Sequence, residues 1–308
     1  MNTTIVKFSF LAPVHFGEGR LSDSLCTCDA ATLFSALYIE ALKMGVSDTL
    51  LRAAEQGDLS LSDAFPFIGD VLYLPKPMVA PGTFEQRPGK EGDSRERKAN
   101  KKLAYVPSRK FDDYMAGKLD VIAELERFKP GVASVQAKVN LERRNGPDAE
   151  PYFVGGFSFT QDAGLYFIVQ GTFNLTPILE QLSYSGIGGK RSSGYGRFAF
   201  STMPATELGR SLSMPRPGRT GMLLSSAAPR DNELTNELLE GARYRLIRKG
   251  GFVQSATHSA NPQKKRDLYL FAAGSTFTSH FSGDVFDVNA TPDAHPVYRY
   301  ARALWMEV

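Results

Sequence analysis

The chain is short of the residues that staple or metallate a fold. Of 308 residues, two are cysteine and four are histidine. A disulfide framework needs several cysteine pairs, so that scaffold class is excluded and a reducing cytoplasm is the expected location. Cys26 and Cys28 form a lone C-x-C with no second Cys or His pair nearby, so neither a metal nor any other cofactor is expected. No apolar run approaches the ~20 residues that span a bilayer, which excludes a transmembrane helix. The first thirteen residues lack a charged segment followed by a long apolar core, so a strand is expected there and not a signal peptide. Neither charge sign dominates: 36 Lys and Arg against 33 Asp and Glu give +3, which permits an acidic partner without naming one. No HExxH, paired-carboxylate or Ser/His/Asp pattern stands out, so no catalytic residue is assigned.

What is present is ordinary globular composition: 42% hydrophobic, 22% charged, with 28 Gly and 18 Pro that point to many turns and short strands. The length favours two domains, placed at 1–203 and 204–308 with a Pro/Gly/Arg-rich linker over 203–219. Strand 3–11 is followed by a polar glycine-containing loop. A helix then begins near Asp29 or Thr32, with Leu33, Leu37 and Ala41 on one face, and stops at Gly45. A second helix is expected over 47–56. Residues 81–103 carry almost no apolar side chains, so an insertion loop is expected there. Further helices are expected over 108–116 and 119–128. Extended runs over 132–141 and 152–159 flank Asn145-Gly146, a hairpin signal, and another strand spans 164–170. Thr176 is expected to cap a short helix with Pro177 at its first position. Antiparallel strands mixed with few helices favour an α+β class. The simplest architecture is the β-α-β-β-α-β ferredoxin-like unit used twice.

The most specific segment is Gly186-Ile187-Gly188-Gly189-Lys190-Arg191-Ser192-Ser193-Gly194-Tyr195-Gly196. Its five glycines allow positive φ and close backbone approach, and Lys190, Arg191 and the two hydroxyls suit a row of phosphates. A Walker loop would need Ser or Thr where Arg191 stands, and a Rossmann turn would need strand before helix, so neither mononucleotide motif applies. A structural connection between helix and strand is the plainer alternative. The first loop is similar in kind. Phe16 would stack on a base if exposed, His15 or Arg20 would hold a phosphate, and Gly17 lies between them. Arg143 and Arg144 flank the hairpin turn, and Arg248-Lys249-Gly250 precede Phe252. Recurrence of glycine, cation and aromatic in several loops is the pattern of single-stranded nucleic-acid binding.

These segments together resemble the RAMP proteins of CRISPR interference complexes, and more narrowly the subunit-four family of the type III-A (Csm) complex. The matching stretches are PVHFGEGRLSDS with TLFSAL, KKLAYVPSRKFDDYMAGKL, YFVGGFSF with GLYFIV, SGIGGKRSSGYGRF, YRLIRKGGFVQS, and HPVYRYARALW. The resemblance implies two tandem ferredoxin-like, RRM-type domains and an RNA-binding role without catalysis. It implies capping of the 5′ tag of the CRISPR RNA, docking onto a large polymerase-like Palm-domain subunit and a backbone RAMP subunit, and indirect contact with target RNA. Ala31 stands where the family places Asp before TLFSAL, which moves the expected cap to Asp29 or Thr32. The rival class is a metal-independent endoribonuclease with His15 as general acid/base.

Overall fold

The computed structural model describes residues 2–17, 19–79, 94–139, 151–208, 212, 215–253, 263–290 and 295–308. Strand β1 (Thr3–Phe10) runs through the middle of the main sheet. Its alternation sends Val6 and Phe8 to one face and Ile5 to the other, and all three are buried. Helix α1 (Ala30–Met44) starts where Asp29 accepts Thr32 N–H at 2.7 Å. It ends at Gly45, which takes the left-handed conformation that glycine adopts at least cost. Helix α2 (Ser47–Gln56) follows, then β2 (Leu59–Leu61), β3 (Phe65–Ile68) and β4 (Val71–Pro75).

The expected insertion loop is corrected in its second part. Residues 80–93 lie outside the described residues, but Ser94–Lys102 form helix α3. Its charged residues are strong helix formers, and Ala99 and Leu103 are buried with Phe111 and Tyr114. After β5 (Tyr105–Pro107) come α4 (Phe111–Met115) and α5 (Val121–Arg127). Strands β6 (Gly131–Val139) and β7 (Pro151–Phe159) pair antiparallel from Gly131↔Phe159 to Val139↔Pro151, as the Asn-Gly signal predicts. The turn itself, with Arg143 and Arg144, lies outside the described residues.

Strand β8 (Ala163–Gly171), helix α6 (Thr176–Ser185) and strand β9 (Phe198–Pro204) complete the main sheet, whose order is β5-β4-β3-β8-β1-β9 with β2 also on β8. Thr176 does not cap α6. It is the first helical residue, and Asn174 accepts its N–H. Helices α1 and α6 cover the Val6–Phe8 face, where Leu33, Phe34, Leu37, Leu179 and Leu182 form one core with Phe167.

The other face of the sheet is covered from the second half of the chain. Strand β10 (Gly221–Leu223) and helix α7 (Asn236–Leu239) are followed by β11 (Leu246–Lys249), β12 (Leu268–Phe271) and β13 (Thr276–Phe277). Strands β14 (Val285–Asp287), β15 (Tyr298–Tyr300) and β16 (Trp305–Glu307) follow. They form a three-stranded sheet, β13-β10-β16, and the two ribbons β11-β12 and β14-β15. Met222, Leu224, Leu304 and Met306 pack with Ile5, Tyr166 and Ile168, so one core crosses the 203/204 boundary. Asp63 fastens the halves: its carboxylate accepts Ala30 N–H at 2.8 Å and Ser226 N–H and O–H, each at 2.7 Å. Tyr300 Oη accepts Leu61 N–H at 2.8 Å.

Candidate nucleic-acid interface

The glycine segment leaves α6, folds over the first loop and enters β9. Three backbone bonds hold it: Gly189 N–H to His15 O at 2.8 Å, Gly196 N–H to Pro13 O at 2.8 Å, and Ile187 N–H to Gly196 O at 3.0 Å. The first loop is itself laddered to β7 through Val14 and Phe157, at 2.9 Å in both directions. Residues 13–16 therefore lie between the hairpin and the glycine loop, and fixing one fixes the other.

Glycine is required here by space as well as by φ. A Cβ on Gly196 would lie 2.0 Å from Ile187 O, and one on Gly188 would lie 2.7 Å from His15 O; both residues have positive φ. Gly186 also has positive φ, with Tyr195 O 2.8 Å from its would-be Cβ. Gly194 differs: its φ is +85°, but nothing lies within 4 Å. Lys190, at φ 59°, is the one positive-φ residue other than glycine among the described residues. That conformation turns the chain into the tight Arg191–Ser193 helical turn and leaves Ser192, Ser193 and Gly194 exposed at the tip.

Cations and aromatics from two elements meet beside this tip. The face of the hairpin turned toward the loop carries Gln136, Lys138 and Tyr152. Tyr195 O–H donates to Gln136 Oε1 at 3.0 Å, and its ring lies under Lys138 Nζ at 5.1 Å from the centroid. Lys190 Nζ lies 5.2 Å from the centroid of Tyr152. Arg191 turns toward α1, with Nη1 3.7 Å from Oε1 of the buried Glu40, which Lys43 also binds at 2.8 Å. The result is a positively charged seam between loop and ribbon, bordered by exposed hydroxyls. It suits phosphates passing an aromatic surface.

Several sequence expectations change. Phe16 is only 5% exposed and packs against Phe10 and the Gly188 backbone, so it is a core ring and not a base-stacking one. His15 is also buried; its Nδ1 carries the proton it donates to Gly155 O at 2.7 Å, and its Cδ2 lies beneath Gly189. Gly17 and Arg20 are exposed. Lys249 is ion-paired with Asp29 at the start of α1, and Gly250 O accepts from the Arg299 guanidinium at 3.1 Å, so both serve packing. Arg248 and Phe252 are exposed. The Arg248–Phe252 segment lies near the N-terminus of α1 and the glycine loop near Glu40, roughly 16 Å along the helix at 1.5 Å per residue. The two groups are therefore separate surfaces. Gln136, Lys138 and Tyr152 are the site residues that sequence reasoning missed. For Gln136 and Lys138 the signal was the period-two pattern of 131–139, which places Ser134, Gln136 and Lys138 on one face; Tyr152 joins them only through its pairing with Lys138.

A family model for the CRISPR Csm4 C-terminal domain matches residues 216–308. The chain is 36% identical to the Csm4 protein of Mycobacterium tuberculosis (strain CDC 1551 / Oshkosh) over 311 aligned positions, covering 99% of this chain and 98% of that protein. It is also 36% identical to the Csm4 protein of Streptococcus thermophilus, covering 96% and 95%. Identity at that level over nearly the full length of both chains places the protein in the Csm4 family. Among solved structures, a chain of a Csm3–Csm4 subcomplex of the type III-A CRISPR-Cas interference complex superposes with a TM-score of 0.65 at 17% identity, covering 100% of this chain and 99% of that one. A Csm1–Csm4 cassette in complex with cA4 gives a chain at 0.59 and 20% identity, covering 99% and 97%. At those identities the superpositions establish the fold.

Proposed function

We propose that this chain is a non-catalytic RNA-binding subunit of a cytoplasmic type III-A CRISPR complex, seated on the 5′ tag of the CRISPR RNA. The observation that carries this reading is the seam in which Lys190, Lys138, Tyr152 and the exposed hydroxyls of Ser192 and Ser193 line one path. Solved relatives in complexes with Csm1 and with Csm3 support two protein contacts, one with the large polymerase-like subunit and one with a backbone RAMP subunit. Target RNA is met only through the paired guide. The main sheet, with β3-β8-β1-β9 adjacent and α1 and α6 as crossovers, supports a ferredoxin-like first unit. We read the smaller sheets as a reduced second one. No helix among the described residues is long and apolar enough to cross a membrane.

The endoribonuclease reading depends on His15, and an imidazole packed beneath Gly189 with Nδ1 engaged does not favour it. The test is a gel shift of the reconstituted complex with mature CRISPR RNA, with and without this subunit. The reading expects the RNA to be retained and its tag protected only when the subunit is present. Equal protection without it, or metal-free cutting of repeat RNA by the purified chain, would overturn the reading.

A further inference from the structure

Helix α3 (Ser94–Lys102) carries five cations and one acid in nine residues. Ala99 and, just past the helix end, Leu103 are buried in the core, and Lys76 Nζ donates to Asn100 O. Helical spacing places Arg97 and Lys101 on the side away from Ala99, and both are exposed, as are Lys98 and Lys102. Arg97 with Lys101, and Lys98 with Lys102, are like charges four residues apart, a spacing that weakens a helix. None of these four side chains is ion-paired among the described residues. Helix α5, packed beside α3, adds the exposed Ile122.

We propose that this outward face of α3 docks against an acidic surface of the large polymerase-like subunit. The inference rests on the reading above that the chain is a subunit of a multi-protein complex, and it assigns that contact to named residues. Facing carboxylates would relieve the repulsion within α3 and fix the register of the two surfaces, and Ile122 adds an aliphatic contact beside the charges. A single RNA strand is the poorer fit, because α3 and α5 contain no aromatic residue on which a base could stack. Position also separates this face from the seam. Helix α3 leads into β5, one edge of the main sheet, and the glycine loop enters β9, the other edge. Five strand-to-strand steps of about 4.8 Å put those edges roughly 24 Å apart. A backbone subunit follows the guide as it leaves the seam, so the far edge is left to the large subunit.

The test titrates the purified large subunit against the immobilised full chain, both nuclease-treated, by interferometry. Lys98→Glu/Lys101→Glu should weaken binding roughly 10-fold or more, since like charges then face each other, and Lys98→Arg/Lys101→Arg should retain it. Both variants keep Ala99 and Leu103, the residues that anchor the helix. A zero-length carbodiimide should join Lys98, Lys101 or Lys102 to an Asp or Glu of the large subunit. CRISPR RNA binding by the assembled complex should be unchanged. Wild-type affinity in the charge-reversed chain, or no such crosslink, would overturn this inference and leave the proposed function standing. Crosslinks to a backbone subunit instead, or lost RNA binding with the large subunit retained, would overturn it in favour of that partner. Failure of the wild-type chain to bind the large subunit at all would overturn both.

Discussion

Arg191, at the tip of the glycine loop, has its guanidinium 3.7 Å from the carboxylate of Glu40 on α1, and Lys43 binds the same oxygen at 2.8 Å. The two adjacent cations of the loop therefore differ. Lys190 faces the hairpin and solvent, while Arg191 is partly spent on a buried acid. Arg191→Ala should lower both stability and RNA affinity, the former by about 1 kcal/mol because Lys43 remains on Glu40. Lys190→Gly should lower affinity alone, since glycine relieves the positive φ while removing the charge. Urea midpoints and anisotropy on the two variants check this, and equal stability losses would contradict the division of roles.

The loop glycines should rank by space and not by sequence order. Gly196→Ala forces a Cβ to 2.0 Å from Ile187 O, and Gly188→Ala forces one to 2.7 Å from His15 O, so backbone must move in both. Gly194→Ala meets nothing and carries only the left-handed penalty of roughly 1–2 kcal/mol. Soluble yield and thermal midpoint should fall in the order Gly194→Ala, Gly188→Ala, Gly196→Ala, from mildest to worst. A Gly196→Ala protein as stable as wild type would refute this ranking.

Asp63 makes stability depend on pH. Burial first, and then the nearby Asp29 charge, raise its carboxyl from its ordinary value to about 7, against the opposing pull of its Ser226 and Ala30 bonds. Between about pH 4 and 7 the folded state holds a proton that the unfolded chain has released. The stability of the neutral form is therefore complete below about pH 4 and is lost as pH rises to about 7. Asp63→Asn keeps an acceptor for Ala30 and Ser226 N–H and offers a donor to the Ser226 hydroxyl. Its urea midpoint should gain on wild type from pH 5 to pH 8, and parallel profiles would remove Asp63 as the cause.

The parts of this fold legible in sequence were those with local causes. Asp29 and Gly45 bound α1 because capping acts within one turn, and Asn145-Gly146 signalled a hairpin whose strands pair as expected. The glycine loop was found by composition, but the reason for each glycine lies in Pro13 and His15, far away in sequence. Phe16 looked like an exposed ring because nothing local shows that Gly188 covers it. Helix α3 was hidden because its charges resemble a solvated loop, while the apolar residues that bury it against the core are just Ala99 and, one residue beyond its end, Leu103.

The hairpin should depend on the loop through Tyr195. Tyr195→Phe removes the bond to Gln136 but keeps the ring against Gly156, for a cost of about 1 kcal/mol. Amide exchange should accelerate in β6 and β7 and remain unchanged in β1 and β8. Uniform acceleration would mean that the hairpin and the main sheet open together.

The central claim, that the seam beside Lys190 carries RNA phosphates, is tested most directly by the salt dependence of RNA affinity. CRISPR RNA binding by the assembled complex would be titrated across a series of salt concentrations with wild type and with Lys190→Gly/Arg191→Ala. Each lost phosphate contact on a single strand lowers the slope of log affinity against log salt by about 0.7. The account predicts weaker binding and a slope reduced by roughly one to two units. Unchanged affinity with an unchanged slope would contradict it.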